Sequence, residues 1–420
     1  MWARHPLSSV CWWLALLLWL APRPAFAEEA PSRVSVLTMG PGDHPFTRFG
    51  HNAILLEWED RGPERARVYN FGTFAFDGWG GVRDFMTGRF RYWLSVGSLE
   101  STLRGYGRAE RSLTAQQLAL TPTERAQIFR ALERNAQPAH RFYDYDYYRD
   151  NCSTRVRDAI DDLLGGQLAE SVRGHGRHTF RQHTLRLVGD APLLTFGLDV
   201  ALGRPTDRPI SRWEELFLPQ ELHDELSRAT RVMNGRRVPF VVSQRELLRA
   251  RQPLPAAEPP PRAASYSLLG ASLGAALALL GRRARGSLLA RRAFGAVGLA
   301  LGAALGLLGN ALLVFMLSKH EAAHLNLSLL AISPLAFGVA WCSAGLLRPT
   351  RPAPRWLTRW LGLFLATSAL LLLAALTSWG RAALPLALLC CPVWLGWLVG
   401  ACAVTGRGRP SKATGPRFGD

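Results

Sequence analysis

The chain has 420 residues, 48% of them hydrophobic and 20% charged, a balance that excludes a disordered polymer. Its formal net charge of +18 invites a nucleic-acid reading, yet residues 28–262 hold 33 Arg and no Lys against 30 Asp and Glu. Most of the excess lies instead in short loops between apolar runs, the footprint of a membrane protein and not of a nucleic-acid binder.

Residues 1–27 read as an export signal: Arg4 at a basic start, an apolar stretch from Val10 to Leu20, and Ala25-Phe26-Ala27 as a small-x-small cleavage site. Cys11 lies inside the apolar stretch and does not form a lipobox. An extracytoplasmic domain is expected over 28–251, followed by a Pro/Ala linker over 252–263. Five apolar segments follow within 264–404, near 264–281, 294–317, 327–347, 360–378 and 383–404, each close to the ~20 residues a helix needs to cross a bilayer. Residues 282–293 carry five Arg, 348–359 carry four, and the 405–420 tail carries three Arg and one Lys. The opposite loops, 318–326 and 379–382, hold one cation each, Lys319 and Arg381. The positive-inside rule then puts the tail in the cytoplasm and residues 28–262 outside it.

The exported region contains a single cysteine, Cys152. Tyr143–Tyr148 reads as a strand, and Cys152 opens an amphipathic helix with Val156, Ile160, Leu163 and Leu164 on one face. Asp150 or Asn151 is its N-cap and Gly165-Gly166 its stop. A cysteine in a first helical turn meets free amides and the positive end of the macrodipole, which favour a thiolate. A base is needed, and His51 begins a strand-like run, His51–Trp58, with a second strand at Val68–Gly72 carrying Asn70 as a group to orient the imidazole. His175, His178 and His183 match no strong metal-ligand template, so no metal is expected.

Phe49-Gly50-His51-Asn52-Ala53, Tyr69-Asn70-Phe71-Gly72-Thr73-Phe74 and the Asn151-Cys152-Ser153-Thr154-Arg155 core together resemble the periplasmic domain of the Lnb-type lipoprotein intramolecular transacylases. Thr179-Phe180-Arg181, Gly197-Leu198-Asp199, Asp207 and Phe217-Leu218-Pro219 are similar to the same family. So are His320, Asn326 and Ser333-Pro334-Leu335 in an outward loop, where Ser328 replaces a second Asn that the family often has.

The resemblance implies an α+β, papain-like, circularly permuted NlpC/P60-type domain outside the cytoplasm, followed by an all-α bundle of five transmembrane helices. It implies a multi-pass protein of the bacterial inner membrane with its catalytic domain in the periplasm. Cys152 would be the nucleophile, His51 the base and then acid, and Asn70 the orienting group. Asn151, Arg155, His320 and Asn326 are candidate substrate-binding residues. Asn151 is also a candidate second oxyanion donor, and Arg155 either meets a lipid-linked anion or pairs with an acidic neighbour. The implied reaction moves an acyl chain from the diacylglyceryl group of a lipoprotein to the α-amine of its N-terminal cysteine, through a thioester on Cys152. Diacylated lipoproteins and membrane lipid are the expected partners, with no cofactor and no nucleic acid. A murein amidase or peptidase, a phospholipase, and a non-enzymatic membrane-anchored binding protein are the alternative readings.

Overall fold

The computed structural model describes residues 30–406 apart from 60–61, 63–64, 77, 251–254 and 349–353. The expected signal and nearly all of the expected tail therefore lie outside the described residues.

Among the described residues nine strands build the N-terminal region: β1 (Arg33–Met39), β2 (His51–Glu57), β3 (Arg67–Thr73), β4 (Arg91–Ser98), β5 (Leu113–Leu118), β6 (Phe142–Asp144), β7 (Thr230–Met233), β8 (Arg236–Pro239) and β9 (Val241–Leu248). Seven form one sheet in the order β6-β4-β3-β2-β1-β5-β9, every pair antiparallel. The central strands are apolar on both faces because both faces are covered. Ile54 and Leu56 pack with Val156 and Ile160 of the Cys152–Leu163 helix and with Ile128 and Leu132 of the Pro122–Ala136 helix. The alternate residues Ala53 and Leu55 pack toward Leu99 and Tyr106 of the Leu99–Arg108 helix. This is a mixed α/β region whose sheet core excludes water from both sides of the strand that begins with His51.

Among the described residues four helices are long and apolar enough to cross a membrane: Ala263–Arg283, Leu288–Leu317, Trp356–Ala375 and Arg381–Thr405. The expected fifth segment, 327–347, is not one continuous helix. It comprises a 3₁₀ turn (Leu327–Leu330), open backbone through Ser333-Pro334, and a helix at Ala336–Ala344 that ends in a 3₁₀ turn to Leu347. Pro334 has no N–H and would clash with the preceding turn, so helix can start only after it. The remaining apolar helix, Ala336–Leu347, is roughly 18 Å long at about 1.5 Å per residue, short of a hydrocarbon core of about 30 Å.

That segment still runs antiparallel along Leu288–Leu317. Gly309 meets Ser333 and Pro334, Gly302 meets Ala340, and Gly295 meets Ser343 and Leu346. Gly281 packs on Gly400, and Gly345 approaches Pro354. The described parts of the two Arg-rich loops, 282–293 and 348–359, are thereby gathered at one end of the helices. At the other end the cation-poor loops seat on the sheet region. Arg149 pairs with Glu321, Lys319 lies 3.5 Å from Asp144, the Gly203 amide donates to the Ala322 carbonyl at 2.7 Å, and Arg204 stacks 4.6 Å over Trp379. The bundle interior uses small residues for close approach: a Cβ on Gly396 would drive into the backbone of Gly274, and one on Gly274 into the Pro392 carbonyl.

Candidate active site

The sheet strand expected over 143–148 stops at Asp144, because the Asp146 carboxylate accepts the amides of Tyr148 (2.9 Å) and Arg149 (2.8 Å) and turns the chain. The turn delivers Asn151 as the cap of the Cys152–Leu163 helix. Asn151 Oδ1 accepts from the Ser153 and Thr154 amides at 2.8 and 2.9 Å, and Thr154 Oγ1 accepts from the Asn151 amide at 2.8 Å. Such a cap is worth about 1 kcal/mol. The helix ends at Leu163, before Gly165 and Gly166, both with positive φ.

Cys152 is 7% exposed, and its sulfur meets the Asn52 amide near the start of β2. Burial pushes the thiol up, while the amides of Asn52, Ser153 and Cys152 itself, and the Arg111 guanidinium, pull in the other direction. Desolvation is the largest of these effects, so the resting group is a thiol. The thiolate expected from the helix terminus is thus outweighed by burial. Gly72 sits in a bulge between β3 and β4 with φ +87°; a Cβ there would stand 3.3 Å from the Tyr145 ring and 3.8 Å from Cys152 Cβ. Bulges of this kind re-aim backbone beside active sites.

His51 follows Gly50, whose φ of +79° no ordinary residue adopts easily, and precedes the Asn52 amide that meets the sulfur. Burial first, and then the Arg111 charge, lower the imidazole from 6.5 to about 4, with a side-chain hydrogen bond to Asn70 acting weakly against them. His51 is therefore neutral at physiological pH and competent to take a proton. Asn70 also donates to the Val68 carbonyl at 3.4 Å. In β3, Asn70 follows Val68 on the side of the sheet where Val68 packs with Ala53, the row His51 begins.

The other sequence candidates are placed as follows. The Asn151 side-chain amide donates to the Tyr147 (2.8 Å) and Phe217 (2.9 Å) carbonyls, tying the cap to the core. Arg155 grips Asp150 with two nitrogens, one at 2.6 Å, and lies 4.0 Å over the Tyr143 ring. His320 Nε2 meets the Phe85 carbonyl at 2.6 Å. Asn326 donates to the Val200 and Ala201 carbonyls at 2.8 and 3.1 Å and accepts the Ser328 amide at 2.9 Å. His320 and Asn326 thus clamp the outward loop onto the sheet region. His183 bonds Glu215 at 2.7 Å, and among the described residues no three His, Cys, Asp or Glu side chains are grouped to hold a metal ion.

Sequence reasoning missed Arg111. It is 6% exposed, its Nε donates to the Gly40 carbonyl at 2.7 Å, its guanidinium lies 4.7 Å over Tyr106, and its charge acts on both Cys152 and His51. Its Nη2 is buried without a hydrogen-bond partner, as are Asn52 Oδ1 and the Tyr147 hydroxyl. Arg111 and Tyr147 are also among the groups whose charge interacts with the Cys152 thiol. Nothing in the sequence separates Arg111 from the other arginines; its role depends on β1 and β5 pairing, which brings Gly40 beside it.

Residues 27–188 match the family model described as the Lnb N-terminal periplasmic domain, a stretch that includes His51, Asn70, Arg111 and Cys152. No curated protein and no solved structure matches the chain.

Proposed function

Taking residues 27–188 as a member of the Lnb N-terminal periplasmic domain family, and so as part of an enzyme acting on lipoproteins, we propose that the protein is a thiol transacylase. Cys152 attacks the ester of the diacylglyceryl group on a lipoprotein's N-terminal cysteine. Neutral His51, oriented by Asn70, takes the thiol proton as the C–S bond forms. The tetrahedral oxyanion gathers the Cys152 amide and the positive field of Arg111, whose Nη2 otherwise lacks a partner. Collapse gives an acyl thioester and, with the proton returned from His51, the lyso-lipid alcohol. The free α-amine then attacks the thioester and regenerates the thiol. The order of His strand, Asn strand and Cys helix fits the permuted papain-like plan that the sequence suggested.

One observation carries the reading: a buried cysteine at a capped helix start shares an uncompensated cation with a neutral histidine, in a domain seated on membrane-length helices. With the Arg-rich ends facing the cytoplasm, the same seating holds the site at the outer leaflet of the inner membrane. A peptidase or amidase would have no use for that seating.

The test offers the purified protein a diacylated lipopeptide whose α-amine is blocked. The acyl chain should remain on the Cys152 peptide as a hydroxylamine-sensitive adduct, and a free amine should discharge it as an amide, both read by mass spectrometry. Steady release of free fatty acid with no acylated Cys152 would overturn the transacylase reading in favour of a lipase.

A further inference from the structure

An apolar surface reaches Cys152 from the membrane-length helices by way of the sheet region. Phe315, near the outer end of the Leu288–Leu317 helix, touches Phe85 at 6.3 Å between ring centroids. Phe85 touches Phe90 at 6.2 Å, Phe90 touches Tyr92 at 5.3 Å, and Tyr92 stacks on Tyr145 at 4.1 Å. Tyr145 stands against Gly72 beside Cys152 and interacts with its backbone. A row of rings thus runs without a charged side chain from a membrane-length helix to the proposed nucleophile.

These rings are not part of the cores described above, which are built on Tyr69, Phe71 and the aliphatic residues of the sheet. Phe90 is buried at 8%, and the open side lies at Phe46 and Phe76, the two rings that flank Phe85, which are 6.2 Å apart and 48% and 43% exposed. The segment between Phe76 and Phe85 is the Gly78–Thr87 helix, which presents Trp79 at 88% exposure and Val82 at 42%. A folded domain leaves such an apolar face open only where something apolar covers it. The bundle contacts lie at the end of this helix and Trp79 at its start; an exposed tryptophan suits the headgroup level of a bilayer. The helix is held to the bundle by the Lys319 amide on the Thr87 carbonyl and by His320 on the Phe85 carbonyl.

We infer that this aromatic row is the binding site for a fatty acyl chain, entered from the outer leaflet beside Trp79 and leading to Cys152. The inference rests on the acyl-transfer reading for its chemistry, but the site is a lipid-chain site whatever the acceptor. Continuity decides the occupant. The row begins at an apolar membrane helix, ends at the sulfur, and spans four ring-to-ring steps, the scale of one long acyl chain. A peptide would leave its backbone polar groups unpaired along Phe315, Phe85 and Phe90, whose rings offer no hydrogen-bonding group. His320 gains a role here: by bonding the Phe85 carbonyl and lying 5.3 Å from the Phe315 ring, it joins the two halves of the row.

Two measurements test it. Full-length protein in phospholipid nanodiscs is photolysed with a phospholipid carrying a diazirine in its acyl chain, and cross-linked peptides are mapped. Cross-links should fall within residues 74–92 and 145, in Cys152→Ala protein as well. Cross-links confined to the helices of the bundle would overturn the site, while leaving the thioester experiment untouched. In the second, Phe90→Trp fills the row near its middle. Acylation of Cys152 should then shift toward short chains, with the ratio of 16-carbon to 8-carbon rates falling at least about tenfold. An unchanged ratio, or an equal fall for both lengths, would overturn the assignment. Should Phe90→Trp fail to fold, the more exposed Phe76→Ser must lower the same ratio, and an unchanged ratio there overturns it equally. Loss of thioester formation with cross-links still on the row would instead remove the transacylase reading and keep the lipid site.

Discussion

Two clusters of buried ionisable groups lie in the same sheet domain and are built on opposite principles. Around Glu215 everything is paired. His183 bonds it at 2.7 Å, the Arg177 amide donates to it at 2.8 Å, and Arg212 bridges it to Glu221, which also takes Arg177 at 2.7 Å and Arg186 at 3.3 Å. Partners hold the Glu215 carboxyl down at about 2 despite burial. Around Cys152 the opposite holds: a thiol pushed up by burial, an imidazole pushed down, and a guanidinium with an idle nitrogen. The first cluster is complete without a ligand and stabilises the fold. The second leaves its polar atoms waiting, which costs stability and is sustained only by the surrounding core.

Removing single groups separates the two. The largest effect belongs to Cys152→Ala, which should abolish acyl transfer by a factor of about 10⁴ or more while Tm shifts by no more than a few degrees. Turnover by the purified variant would end the nucleophile assignment. Glu215→Ala should do the reverse, destabilising by about 3–5 kcal/mol because Arg212 and His183 lose a buried partner. Thermal unfolding in detergent or nanodiscs measures it, and a Tm near that of the native protein would mean the network is not the keystone we describe.

Arg111→Met is the sharper comparison. It removes a buried cation that few groups pair, so stability should hold or rise, while kcat/KM falls by about 10–100-fold as the oxyanion loses its field. Because Arg111 lowers His51, its loss should also move the acid limb of the rate profile toward neutrality. A variant that loses stability with an unmoved pH profile would make Arg111 structural only.

The smallest effect is the pH dependence. With His51 at about 4 in the folded protein against 6.5 unfolded, the unfolded chain binds the extra proton between those values. Stability from neutral His51 is thus complete above 6.5 and is lost as pH falls through 4. Glu215, lowered from 4.5 to about 2, is lost in the next window down. Acid unfolding of His51→Gln should lack the upper window and retain the lower one. The kcat/KM of the native protein should keep its plateau to about pH 5, and an acid limb near 6.5 would show His51 solvated.

Much was readable before any coordinates. The Asn151-Cys152 helix start, its Gly165-Gly166 stop and the two strands carrying His51 and Asn70 follow from local patterns, because caps, stops and two-residue alternation act over a few positions. The four long spans followed from apolar length, and the split of loop charge anticipated which ends of the helices meet the sheet region. The break in the fifth apolar segment was not legible, since apolar length says nothing of where Ser333-Pro334 interrupts the ladder. Tertiary structure alone decided that burial raises the thiol, that Asn326 and His320 serve as clamps, and that the charge of Arg111 acts on both His51 and Cys152. It also decided that Phe85, Phe90, Tyr92 and Tyr145 line up from Phe315 to Cys152. Each of these depends on strands and loops distant in sequence meeting at one end of an antiparallel sheet. Burial and charge coupling arise only from that meeting, so no local pattern carries them.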